Sequence, residues 1–185
     1  MTTFIIITIL VYIGCTYIFR SYRDFGLVNS RWYTPFSNMS FSAMEFYKSI
    51  EDELDKKGIS DMKISRVTYS QGGIFSSNRD YLRIARGEYI FLICAAPFGT
   101  DFFVSWWGGQ QITFLMDLVP RIPAIGPFLA KFMASKSFYR LDTESMFEST
   151  VRKCVLAEID KLTTIKGIRG LSDSERIPYR NPNWL

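Results

Sequence analysis

The chain has 185 residues, of which 48% are hydrophobic and 22% are charged, and its formal net charge is +4. This composition excludes a disordered or collagen-like chain, and the length suits one domain with an appendage. The chain contains no histidine, which excludes histidine-based triads, histidine-ligated zinc and histidine proton shuttles. Its basic residues are scattered, so the modest positive charge fits an anionic membrane surface better than a nucleic acid.

The first element is an apolar segment that carries no charged side chain before Arg20. Its length falls within the range of about 17–25 residues that a bilayer-spanning helix needs. It therefore predicts a transmembrane anchor over residues 1–20. The residues assigned to the anchor and its basic flank are Phe4, Ile5, Ile6, Ile7, Leu10, Val11, Ile13, Ile18, Phe19, Arg20 and Arg23.

Two other interpretations of this segment stay open. A cleaved signal, or a lipoprotein signal ending at Cys15, is disfavoured because no basic residue precedes the segment and the apolar run continues beyond the cysteine. A buried core helix is the other alternative.

The charge distribution predicts the orientation of the anchor. Arg20, Arg23 and Arg31 follow the segment against Asp24, so the positive-inside rule places the C-terminal domain in the cytoplasm. The three cysteines, an odd number at wide spacing, argue against a disulfide framework and agree with a reducing compartment. We expect a single-pass membrane protein with a cytoplasmic domain; export is the alternative.

A juxtamembrane linker is predicted over residues 21–40, because turn-forming residues interrupt it. The α+β domain over residues 41–167 then begins with a helix, since Ser42 and Glu45 have the spacing of a capping box and Gly58 suits a helix C-terminus. The apolar stripe of this helix consists of Phe46, Ile50 and Leu54.

The pattern of strand-forming runs and turn residues over 62–108 predicts an antiparallel β-meander of about four strands. The strands are expected at residues 63–70, 80–85, 88–96 and 101–107, with Arg86-Gly87 as a tight turn. The strand at 88–96 is apolar on both faces, which predicts a central strand covered on both sides. Gly108-Gly109 is interpreted as a plain turn after the last strand.

Two helical regions and a tail complete the predicted domain. Residues 110–139 have helical apolar spacing interrupted by prolines, which predicts a helical hairpin that either covers the sheet or dips into the membrane leaflet. A long helix is expected over residues 143–164, ending at Gly167, and an extended tail over residues 168–185. The predicted fold class is α+β: an N-terminal transmembrane helix, then a small domain whose meander is covered by helices.

Catalytic motifs are absent from the sequence: it has no P-loop, no dinucleotide fingerprint and no CxxC pair. We therefore predict no catalytic, cofactor-binding or metal-binding residue, and we interpret Asp80, Glu88 and Asp101 near strand ends as solvated carboxylates.

The expected function is that of a non-catalytic component of a membrane-associated assembly, with the lipid bilayer and protein as partners and no nucleic acid. The alternative is a membrane-tethered ligand-sensing module or an enzyme with a pocket between the sheet and the helical hairpin. The residues predicted to contact a partner or the membrane are Phe103, Trp106, Trp107, Leu115, Leu118, Phe128, Phe132 and Trp184.

The anchor predicts how the chain behaves when membranes are stripped. After an alkaline carbonate wash and ultracentrifugation, we expect the full-length protein in the membrane pellet, because its apolar segment is held by lipid rather than by surface charge. Intact protein in the supernatant would contradict the anchor.

Overall fold

The structure is a computed structural model, and it describes residues 27–70, 78–111 and 137–181. These stretches form an α+β fold with two helices and one six-stranded antiparallel sheet. The predicted anchor at residues 1–20 and residues 112–136 of the predicted hairpin lie outside them. No helix in the three stretches combines the length and the apolar character that a membrane span needs.

The elements follow one another along the chain as β1 (Leu27–Phe36), α1 (Ala43–Lys56), β2 (Met62–Ser70), β3 (Asn78–Arg86), β4 (Tyr89–Phe98), β5 (Asp101–Gln110), α2 (Phe138–Lys166), a 3₁₀ turn (Ser174–Arg176) and β6 (Tyr179–Arg180). Within the sheet the strand order is β2-β3-β4-β5-β1-β6. The predicted meander is therefore the run β2 to β5, and two further strands extend it beyond β5.

Strand β1 corrects the interpretation of residues 21–40 as a linker. It pairs antiparallel with β5 along its whole length, with Trp32 opposite Trp106 and Phe36 opposite Phe102. The linker interpretation was wrong for residues 27–36 because the partner of β1 lies about 70 residues later in the chain, as the paired numbers show. A strand whose partner is that distant has no local turn signal.

Strand β5 is also longer than predicted, since it continues to Gln110 and contains Gly108 and Gly109. Gly108 lies in the ladder opposite Phe91 and Ser30 rather than in a turn. A Cβ at this position would lie 2.7 Å from Ser30 Oγ and 2.8 Å from the Phe91 ring. Glycine is therefore required here by close packing, which the sequence pattern did not distinguish from a turn.

The hydrophobic core lies between one face of the sheet and the two helices. The predicted stripe of α1 is buried, and Ser42 caps the helix by accepting a hydrogen bond from the Glu45 backbone N–H. Helix α2 begins at Phe138, five residues before the predicted residue 143, because Ser137 caps it, and it ends at Gly167 as predicted. Its buried residues recur at helical spacing and include Phe147, Val151, Val155, Ile159 and Leu162.

Strand β4 is the third of the six strands and is buried on both faces, as predicted. Tyr89, Phe91, Ile93 and Ala95 belong to the core under the helices. Ile90, Leu92 and Cys94 point to the opposite face and are buried as well.

The described part of the tail packs on the domain. Strand β6 pairs with Ser30 and Arg31 of β1, and the Trp32 indole N–H donates to the Glu175 carbonyl at 2.6 Å. Arg176 forms a two-pronged ion pair with Asp160 of α2, with N···O distances of 2.7 and 2.9 Å. The tail is thus a structural part of the sheet edge up to residue 181, and Trp184 lies outside the described residues.

Close packing at Gly108 predicts a stability effect. We expect Gly108→Ala to lower the free energy of unfolding by about 1–3 kcal/mol, because the new methyl group must displace the buried Phe91 ring. The measurement is urea unfolding of the detergent-solubilised protein, followed by tryptophan fluorescence. Gly170→Ala is the matched control, since its Cβ would meet only Thr163 Oγ1 at 3.8 Å; equal effects of the two substitutions would contradict the packing argument.

Candidate functional site

The three carboxylates at strand ends do not form a shared acid–base site. Asp80 accepts from the Thr68 hydroxyl at 2.7 Å, and Asp101 accepts from the Asn38 backbone N–H at 3.2 Å. Glu88 forms an ion pair with Arg140. Each carboxylate thus has its own partner, and none of the three lines the cleft within the sheet face opposite the helices or the cavity beside α2.

The described cysteines are not activated as nucleophiles. Cys94 and Cys154 are both free and buried. Burial raises the pKa of each thiol, so both stay protonated at neutral pH, whereas nucleophilic attack requires the thiolate. Within the three described stretches, His, Cys, Asp and Glu side chains do not come together in groups of three or more.

The predicted contact residues of β5 divide between the two faces of the sheet. Trp106 is fully buried in the core, where its ring stacks on Trp32 with a centroid separation of 4.3 Å. It is therefore not available at the surface. Phe103 and Trp107 point to the opposite face, and Trp107 keeps 36% of its surface exposed. The other predicted contacts, Leu115, Leu118, Phe128, Phe132 and Trp184, lie outside the described residues.

Pairing of β1, β5 and β6 gathers three exposed aromatic side chains and the half-buried Phe103 on the face opposite the helices. We call this the aromatic face: Tyr33, Phe103, Trp107 and Tyr179, with Arg31 among them. The ring centroids of Tyr33 and Phe103 are 6.3 Å apart, and Arg31 lies opposite Trp107 in the ladder. The Arg31 guanidinium carbon lies 4.8 Å from the centre of the Tyr179 ring, which is a cation–π distance.

A cleft of about 310 Å³ opens within the aromatic face. Its ring walls are Trp107 and Tyr179, Arg31 supplies a positive charge, and Asn29 and Asn181 complete the lining. Indole, phenol and guanidinium groups are the side chains that dominate protein-binding hot spots. The arrangement suits recognition of a partner surface and provides no described nucleophile or acid–base pair.

The sequence predicted Trp107 and Phe103 as contact residues but did not indicate Arg31, Tyr33 or Tyr179. The alternation in Arg31-Trp32-Tyr33 could have indicated two of them. Successive side chains of a strand point to opposite faces, so Arg31 and Tyr33 share one face and Trp32 lies on the other. Tyr179 joins them only through the pairing of β6 with β1.

No protein-family model matches this chain, and neither a curated protein nor a solved structure matches it.

On the helix-covered face, Tyr89 lies among acidic side chains at the beginning of α2. Its hydroxyl donates to the Arg140 carbonyl at 3.2 Å. Burial, and then the nearby carboxylates of Glu144 and Glu88, raise the pKa of Tyr89 to about 12. The fold therefore favours the neutral phenol, because ionisation would place a second negative charge in a desolvated site.

This shift predicts how stability depends on alkaline pH. Because the folded-state pKa of Tyr89 is raised, its stabilising contribution is complete below the ordinary value near 10 and is lost as the pH rises towards 12. We expect Tyr89→Phe to make the fall in unfolding free energy between pH 10 and pH 12 shallower, as measured by urea unfolding at a series of pH values. Part of the fall remains, since burial also raises the pKa of Tyr47.

The exposed Tyr33 supplies the control for that experiment. Tyr33→Phe removes a phenol of the same type from the surface and should leave the alkaline slope as it is in the unsubstituted protein. If Tyr89→Phe and Tyr33→Phe have the same slope, the buried acidic surroundings of Tyr89 are not responsible.

Proposed function

We propose that the protein is a non-catalytic component of a membrane-associated assembly, with the aromatic face as its contact surface for a protein partner. In this proposal residues 1–20 anchor the chain in the bilayer and the domain lies in the cytoplasm. The observation that carries the proposal is the exposure of a contiguous aromatic surface beside a core that is already filled.

The fold does not need the aromatic face for its core. Trp32, Phe102 and Trp106 of the same two strands already fill the helix-covered side. On the opposite side, Tyr33 is 67% exposed and Tyr179 is 58% exposed. Scattered apolar residues at a surface are ordinary, but a contiguous aromatic group is typical of a binding site.

Charge indicates the chemistry of the partner. Arg31 lies within the aromatic face, with its guanidinium carbon over the Tyr179 ring. A protein segment that presents both carboxylates and apolar side chains would complement this surface, and complementary charge would also speed its encounter with the domain.

The membrane part of the proposal is supported by the sequence. The uncharged run before Arg20 has no stable place in water unless another surface covers it. Arg20 and Arg23 follow it directly, as the positive-inside rule requires for a cytoplasmic domain. The free thiols of Cys94 and Cys154 agree with a reducing compartment.

The test is co-purification from the native membrane in mild detergent, with the bound proteins quantified by mass spectrometry. We expect the unsubstituted protein to elute in a complex with a defined protein at constant stoichiometry. The double variant Tyr33→Ser, Trp107→Ser should retain about thirtyfold less of that protein, because loss of a hot-spot residue costs about 2 kcal/mol or more. Phe138→Ser is the matched control, since this aromatic residue is 88% exposed but lies on α2.

Folding of the variants is checked by their melting temperatures, which must stay well above the temperature of the purification, since Trp107 is only 36% exposed and its loss removes some packing. Elution of the unsubstituted protein as an isolated monomer would contradict the proposed assembly. Equal loss of the partner in the control would contradict the role of the aromatic face.

A further inference from the structure

A second site lies on the helix-covered side of the sheet, between β1, β4, β5 and the first turns of α2. It is a cavity of about 10 Å³, which is room for one water molecule or one ion of similar size. Its polar lining consists of Asn29 and Ser30 from β1 and Glu144 and Glu148 from α2. Aromatic side chains and Gly108-Gly109 complete the wall.

Three oxygen atoms of this lining have no hydrogen-bond donor in the described part of the chain. They are Asn29 Oδ1, Ser30 Oγ and Glu148 Oε1, and all three are buried. Ser30 is only 2% exposed and Asn29 only 7%. Because buried polar atoms nearly always have a partner, three unpartnered oxygens around one cavity indicate a missing ligand.

Two local features bring these groups together: a β-bulge in β1 and the four-residue spacing of two glutamates on α2. The ladder between β1 and β5 shifts register between Val28 and Ser30, so Asn29 is an extra residue and forms a bulge. The bulge lets Asn29 and Ser30 approach the same cavity, whereas neighbours in a regular strand point to opposite faces. Glu144 and Glu148 are four residues apart, which places both carboxylates on one side of α2.

Gly108 leaves the cavity unfilled because it carries no side chain. It lies opposite Ser30 in the ladder, and a Cβ there would come within 2.7 Å of Ser30 Oγ. Asn29 is held by a hydrogen bond to α2, in which its Nδ2 donates to Glu144 Oε1 at 2.7 Å. This hydrogen bond directs the Asn29 amide towards the carboxylates and leaves its Oδ1 to accept from, or coordinate, a ligand.

The chemistry of the lining favours a cation. The unpartnered atoms are all oxygens, and two carboxylates one helical turn apart repel each other unless a positive charge lies between them. Arg180 forms an ion pair with Glu148 at 3.6 Å, but this distance is too long for a hydrogen bond and leaves Glu148 Oε1 without a donor. Hard oxygen donors with no nitrogen or sulfur ligand are typical of Ca²⁺ and Mg²⁺ sites.

Cavity size decides between these ions. Mg²⁺ usually retains several of its waters, for which a cavity of about 10 Å³ has no room. Ca²⁺ accepts flexible geometry and is bound largely by protein oxygens. We propose that Asn29, Ser30, Glu144 and Glu148 form a Ca²⁺ site that joins β1 to α2.

The experiment uses the full-length protein in detergent, freed of metal by a chelator and then titrated with CaCl₂ or MgCl₂ in a calorimeter. We expect one Ca²⁺ per chain, weaker binding of Mg²⁺, and a melting temperature that rises with Ca²⁺ because only the folded state forms the site. Glu148→Gln keeps the shape of the side chain but removes its charge, and should weaken Ca²⁺ binding about tenfold or more.

Two further variants make the result decisive. Ser30→Ala removes an unpartnered hydroxyl, so without metal it should fold and melt at least as well as the unsubstituted protein, yet it should lose part of the rise with Ca²⁺. Glu158→Gln alters another buried acid of α2, whose carboxylate has Ser49 and Lys161 as partners, and should leave Ca²⁺ binding unchanged.

A wild-type melting temperature that does not respond to Ca²⁺ would overturn the proposal and assign the cavity to a water molecule. Ca²⁺ binding that is equally strong in Glu148→Gln and Ser30→Ala would also overturn it, because the ion would then lie elsewhere. Neither outcome depends on the aromatic face, so the test is independent of the proposed assembly.

Discussion

The pairing of β1 with β5 is the constraint on which the rest of the described structure depends. It stacks Trp32 on Trp106 at the centre of the core and covers the edge that β5 would otherwise expose. The same ladder places Arg31 beside Trp107 on one face and Ser30 over Gly108 on the other. Core, aromatic face and cavity are thus three results of one register, and a shift by one residue would exchange the faces and abolish all three.

The parts of the fold that could be predicted are those whose signals are local. Helix α1, the meander from β2 to β5 and the end of α2 at Gly167 follow from side-chain periodicity, capping and turn residues within a few positions. Strand β1 could not be predicted in this way, because its partner is distant in the chain and Pro35 suggested a break. The α+β class was therefore correct, while the sheet has six strands rather than about four.

The same physical limit applies to the sites. Trp106 and Trp107 were both predicted as contact residues, and only the position of the helices shows that Trp106 is buried. Asn29 and Glu144 are 115 positions apart in the chain, and no spacing rule connects them. A bulge shifts the pattern of β1 by one residue, so alternation alone would have placed Asn29 on the wrong face.

The outer edge of β1 affects whether the sheet can pair with a strand of another copy. Strand β6 covers β1 only at Ser30 and Arg31, so the remaining stretch to Phe36 has no ladder on that side within the described residues. Pro35 removes one main-chain donor from this stretch, and the indole of Trp32 is tied to Glu175. An edge interrupted in this way resists pairing with a strand of another copy on this side of the sheet.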